Sequence, residues 1–106
     1  GEVQDNAVAF GDVKLDRTSF ELVGPKSKVL LTAKEFQIME MFVKNPTAII
    51  SAETFMDKIW GFDSETEINV VWTYLSYLRK KLALIGSKVT IKAVGNVGYT
   101  LEGKNA

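Results

Sequence analysis

The sequence predicts an α+β fold: an N-terminal antiparallel sheet, three helices and a C-terminal β-hairpin. Three observations point there. Between residues 7 and 31, short runs alternate apolar and polar residues and are broken by turn formers. Within residues 67–85, apolar side chains recur at Ile68, Val71, Leu75, Leu78, Leu82 and Ile85, alternately three and four apart, which is one face of a helix. After Gly86 the alternation returns on both sides of Gly95-Asn96.

Taken in order, Val13 and Leu15 alternate with Asp12, Lys14 and Asp16, and Phe20 and Leu22 alternate with Ser19 and Glu21. Val29 and Leu31 close the strand series. Asp16-Arg17-Thr18 and Gly24-Pro25-Lys26-Ser27 supply the turns. Thr32-Ala33-Lys34-Glu35 has the form of a capping box, with Thr32 as N-cap and Glu35 at the third helical position. A helix is expected from there to about Lys44, burying Phe36, Met39, Phe42 and Val43, with Asn45-Pro46 ending it. Ser51 caps a second helix that carries Phe55, Met56, Ile59 and Trp60 on one side, and Gly61 ends it. Ser64 or Thr66 is the expected cap of the long helix. At 1.5 Å per residue that helix is a rod of roughly 28 Å. Lys88–Val94 and Val97–Leu101 form the hairpin, with Gly95 and Asn96 as turn residues of positive φ. Trp60 and Trp72 are expected to pack in the core or at its edge, since large aromatics bury area first.

The 106 residues suit one domain. A quarter of them are charged and 46% are hydrophobic, as in a globular chain. Cysteine and histidine are both absent. Thiol chemistry, disulfides, thiolate metal sites and the Ser–His nucleophile pair are therefore excluded, and no carboxylate constellation takes their place. An enzyme, a cofactor and a metal site are not expected. No apolar run is long enough to span a membrane. Net charge is zero, but it is unevenly spread: residues 1–66 carry 7 basic and 11 acidic groups, and residues 67–106 carry 6 and 2. A basic C-terminal half suggests one face for an anion and another for a different partner.

Two helices followed by a longer third and a hairpin make the layout of a winged helix-turn-helix, in which the third helix enters the DNA major groove and the hairpin wing lies along the backbone. The exposed side of the long helix fits that use. Asn69 can pair bidentately with adenine, and the Thr73 methyl can meet a thymine methyl. Arg79, Lys80 and Lys81 can neutralise phosphates, although cations in a last helical turn also suit the helix dipole. Tyr77 suits either a phosphate or sugar contact or a protein interface.

The chain also resembles the effector domain of OmpR/PhoB-type response regulators, from about Phe10 to Glu102. Leu31-Thr32-Ala33-Lys34-Glu35-Phe36 resembles the family's opening of the first helix. Ile50-Ser51, Ile59-Trp60-Gly61, Asn69-Val70-Val71, Leu78-Arg79-Lys80-Lys81-Leu82, Val94 and Val97-Gly98-Tyr99 follow in the family's order and spacing. The resemblance implies the output domain of a bacterial, cytoplasmic two-component regulator, with its receiver domain outside this chain. It implies double-stranded DNA as partner, bound as a dimer on tandem half-sites, and Asn69, Thr73, Ser76, Tyr77, Arg79, Lys80, Lys81 and Lys92 as the contact set. It further implies that Phe62, Asp63, Ser64 and Glu65 form a loop that can touch RNA polymerase. Tyr74 and Tyr77 stand where the family often has His and Arg, and Gly95-Asn96 stands where it commonly has Arg-Gly. These departures motivate an alternative, a winged helix that binds protein and has weak or lost DNA binding.

Overall fold

Turn chemistry and alternation build the first layer. The computed structural model describes residues 7–61 and 65–103. Strands β1 (Ala7–Phe10), β2 (Val13–Asp16), β3 (Glu21–Val23) and β4 (Lys28–Leu30) pair antiparallel in chain order. Val13, Leu15 and Leu22 point into the core while Lys14 faces solvent, so one face is dry and one wet. The β2–β3 turn is held by the Asp16 carboxylate, which accepts from the Thr18 and Ser19 N–H groups. Phe20, expected within the strand, lies in this turn at φ 61. Its ring stacks on Phe36 with centroids 4.4 Å apart, which offsets the cost of that backbone.

Helix α1 (Ala33–Lys44) opens with both halves of the expected capping box: Glu35 N–H donates to Thr32 Oγ1 at 3.3 Å, and Thr32 N–H donates to Glu35 Oε1 at 2.8 Å. Asn45 closes it, its side-chain amide donating to Met41 O. Helix α2 (Ala52–Phe55), capped by Ser51, runs directly into a π-helical turn over Met56–Trp60. Helix α3 (Asn69–Leu84) starts two residues later than expected. Its N-cap is Ile68, not Thr66, and the Ile68 side chain makes no cap bond. The reason is a tight first turn, in which Val70 N–H donates to Glu67 O and Val71 N–H to Ile68 O. Ser64, the other cap expected, lies outside the described residues. Gly86, at φ 78, ends α3, and Ser87 N–H reaches back to Leu82 O.

Strands β5 (Thr90–Val94) and β6 (Gly98–Glu102) form a separate two-stranded sheet, the wing. Of its turn residues, Gly95 alone has positive φ. The core sits between the N-terminal sheet and the helices. Of the stripe read from the sequence, Val71, Leu75, Leu78, Leu82 and Ile85 are all at most 1% exposed and pack with Ile38, Met39 and Phe42 of α1, while Ile68, just before the helix, is only half-buried. Each such side chain contributes roughly 2 kcal/mol on burial. Among the described residues, no helix is long and apolar enough to cross a membrane.

Two polar contacts tie these layers. Glu35 is 2% exposed, and Lys81 of α3 reaches it with Nζ 2.6 Å from Oε1. The same ammonium donates to Leu30 O at the end of β4. At the other end of the sheet, Asp12 Oδ1 accepts from Ser87 Oγ at 2.5 Å and Oδ2 from Lys88 N–H at 2.9 Å, joining the β1–β2 turn to the entry of the wing. Burial pushes the Asp12 carboxyl up, but the bonds from Ser87 and Lys88 outweigh it and hold its pKa below the ordinary 3.8.

Lys81→Met should lower stability by about 3 kcal/mol, because it leaves a buried carboxylate unpaired, and adding Glu35→Gln should recover part of that loss. Urea midpoints check this, and a loss of the size seen at exposed charges would contradict it. The Asp12 contribution is complete above the unfolded pKa of 3.8 and is lost as pH falls through the lower folded value. The gap in urea midpoint between wild type and Asp12→Asn should therefore stay constant from neutral pH down to the unfolded pKa and close below it.

Candidate nucleic-acid interface

With one face of α3 sealed in the core, its other face is fixed by helical geometry. At 100° per residue, Asn69, Thr73, Ser76 and Lys80 fall within about 60° of each other. Asn69, Thr73 and Lys80 are exposed and Ser76 is half-buried. They form a polar line along the helix. Thr73 Oγ1 makes a long bond back to Asn69 O, at 3.4 Å. That occupies its hydroxyl and leaves its methyl as the free group. No described residue pairs with the Lys80 ammonium.

The other basic side chains of the expected contact set are engaged inside the protein. Lys81 stands about 100° around the helix from Lys80 and is the partner of Glu35. Arg79 Nε donates to Ile91 O of β5 at 3.1 Å, so it joins α3 to the wing. Lys92 lies exposed on β5, 3.6 Å from Glu102 on the paired strand. That pair is weak, as exposed ion pairs are. The sequence named all three as cations by type and place. It gave no sign of Ile91 O as an acceptor, and it showed Glu35 only as a capping residue.

A row of rings borders the polar line on the side facing the π-helical turn. Lys34 sits over the Trp60 ring, 5.4 Å from its centroid, and its Nζ donates to Ile59 O. Trp60 and Tyr74 lie 5.4 Å apart between centroids, and Tyr74 and Tyr77 lie 5.8 Å apart, edge to face. Tyr77, 46% exposed, is the outer end of this row. The half-buried Trp60 fits its expected place at the edge of the core. Trp72 does not: it is 52% exposed. Its position, about 60° from Asn69 on the wheel, turns it toward the wing and away from the core.

The wing is clamped in place. Ile50 N–H donates to Tyr99 O and Tyr99 N–H to Ile50 O, both at 2.8 Å. A Cβ at Gly98 would collide with Ile50 O, so a glycine is required where the two backbones meet. Glu65 is exposed; Phe62, Asp63 and Ser64, expected to form the polymerase-contacting loop with it, lie outside the described residues.

Comparison with known proteins gives one consistent result. A family model described as "Transcriptional regulatory protein, C terminal" matches residues 26–101. The transcriptional regulatory protein DltR of Streptococcus agalactiae is 34% identical over 100 residues, covering 94% of this chain and 45% of DltR. The chain thus spans less than half the length of that relative. Among solved structures, the C-terminal domain of the nisin resistance regulator NsrR superposes with a TM-score of 0.72 at 30% identity, covering 88% of this chain and 94% of that one. DrrB of Thermotoga maritima, an OmpR/PhoB homologue, does so with a TM-score of 0.75 at 25% identity, covering 92% of this chain and 45% of DrrB. On the family match and these relatives, the chain belongs to the C-terminal domains of OmpR/PhoB-type transcriptional regulatory proteins.

Proposed function

We propose that this chain is the DNA-binding output domain of a bacterial two-component response regulator acting in the cytoplasm. The observation that carries the reading is the polar line Asn69–Thr73–Ser76–Lys80 on the free face of a helix whose opposite face is fully buried. In this reading α3 enters the major groove. Asn69 offers a bidentate amide to adenine, the Thr73 methyl meets a thymine methyl, and Ser76 accepts or donates as the base edge requires. Lys80 and Tyr77 contact the backbone. Arg79, which ties α3 to the hairpin, and Lys92 on β5 lie beside the phosphodiester chain. Lys81 is assigned to the fold, since moving it to a phosphate would strand Glu35. Members of a dimer on tandem half-sites, and RNA polymerase at the loop containing Glu65, are the further partners proposed.

The exposure of Tyr77 and Trp72, together with the engagement of Arg79, Lys81 and Lys92 inside the protein, favours one competing reading: a protein-binding winged helix with little DNA affinity. A titration with random-sequence duplex separates the two. DNA binding predicts nonspecific association at about 10⁻⁴ to 10⁻⁶ M that weakens steeply with salt. No association at low salt would favour the protein-binding module.

Lys80→Ala should weaken binding to all sequences and reduce the slope of log K against log salt by about 1. Asn69→Ala and Thr73→Ala should each cost about 1–3 kcal/mol of discrimination between cognate and random duplex. Gel shifts across a salt series check both. An unchanged slope for Lys80→Ala would remove it from the contact set.

A further inference from the structure

Beside the polar line of α3 lies a second surface of different character. A cleft of 280 Å³ opens between the start of α3, the start of α2 and the wing turn. Trp72 forms one wall, and Asn96 and Val97 form the opposite one. Ile68, Ala52, Glu53 and Tyr99 line it as well, with the backbone of Gly95 and Gly98. Trp72 is 52% exposed and Val97 61% exposed, so two large apolar side chains flank the same opening. Glu53 is the one charged group in that lining.

Hydrogen bonds hold the elements that form the walls. The Ile50–Tyr99 backbone pair fixes the wing turn, Ser51 caps α2 with its Oγ accepting from Thr54 N–H at 3.1 Å, and Arg79 ties α3 to β5. A preformed cleft of mixed lining, with apolar side chains at its mouth, loses little ordering entropy when filled. Exposed Trp and Val in close company mark a contact surface more often than an idle one.

The position and charge of the cleft select its occupant. Trp72 is three residues after Asn69 and four before Ser76, so it adjoins the polar line on the surface of α3, and the cleft it lines reaches the wing. A nucleic-acid strand passing from α3 to the wing must cross it. A phosphate held there would face the Glu53 carboxylate with no cation in the lining. A deoxyribose presents uncharged C–H surface, which suits an indole face and a valine. We propose that Trp72 and Val97 grip a deoxyribose of duplex DNA, adding affinity that releases no counterions and reads no sequence. The inference rests on the DNA-binding reading above and adds uncharged contact beside a helix face on which, among the described residues, Lys80 is the one unpaired ammonium.

The test uses the indole as its own reporter. In Trp60→Phe, Trp72 is the sole tryptophan, and adding random-sequence duplex at low salt should shield its emission from acrylamide severalfold. Trp72→Ala in the otherwise wild-type chain should lose roughly tenfold in affinity for every duplex while its salt slope stays at the wild-type value. Trp72→Phe should lose less. If duplex binds but Trp72 stays open to acrylamide, or if Trp72→Ala binds as tightly as wild type, the deoxyribose grip is overturned and the DNA-binding reading stands. A wild-type chain that binds no duplex even at low salt overturns both.

Discussion

The buried pair between Glu35 and Lys81 sets the geometry on which the interface depends. Glu35 has two jobs at one oxygen: it accepts the Thr32 N–H that starts α1, and it accepts the Lys81 ammonium from α3. Lys81 then reaches Leu30 O at the end of the sheet. Sheet, first helix and third helix thus meet at a single point in a low-dielectric setting, where an unmatched charge is costly. Because α3 cannot rotate without breaking this contact, the polar line of Asn69, Thr73, Ser76 and Lys80 is held facing outward. The apolar stripe alone specifies which side of α3 is buried; the ion pair fixes its azimuth.

The same economy governs the wing. Its two strands do not join the N-terminal sheet; Ile91 and Leu101 seat them in the core, and polar links add to that: Arg79 to Ile91 O, Ile50 to Tyr99, and Asp12 to Ser87 and Lys88. Side chains that a count of charges assigns to DNA are thereby partly spent on architecture. What remains outward on this side is one unpaired ammonium on α3, a tyrosine at the end of an aromatic row, and a cleft flanked by Trp72 and Val97. In the proposed interface, affinity comes from contact area and steric fit as well as from charge.

Much of the fold was legible in the sequence, because its signals are local. The capping box at Thr32 and Glu35, the alternation of Val13, Leu15 and Leu22, and the stripe from Val71 to Ile85 each follow from neighbours within a turn or a strand. The readings that failed depend on distant partners or on backbone detail. Phe20 left its strand because a ring in α1 rewards an unusual φ. Thr66 lost the cap to Ile68 because a tight first turn supplies the bonds. Trp72 looked like a core residue by type, and only its place on the helix wheel relative to a wing 25 residues away puts it in solvent. The contacts of Lys81 with Glu35 and of Arg79 with Ile91 O were equally out of reach, since nothing near them in the chain announces a buried carboxylate or a free carbonyl.

Amide chemical shifts of the domain, followed during titration with random-sequence duplex at low salt, test the central claim most directly. The account predicts that the largest changes fall on residues 69–80 of α3 and 95–99 of the wing turn, and that they fade as salt rises. Changes centred on the N-terminal sheet, or no change at all, would contradict it.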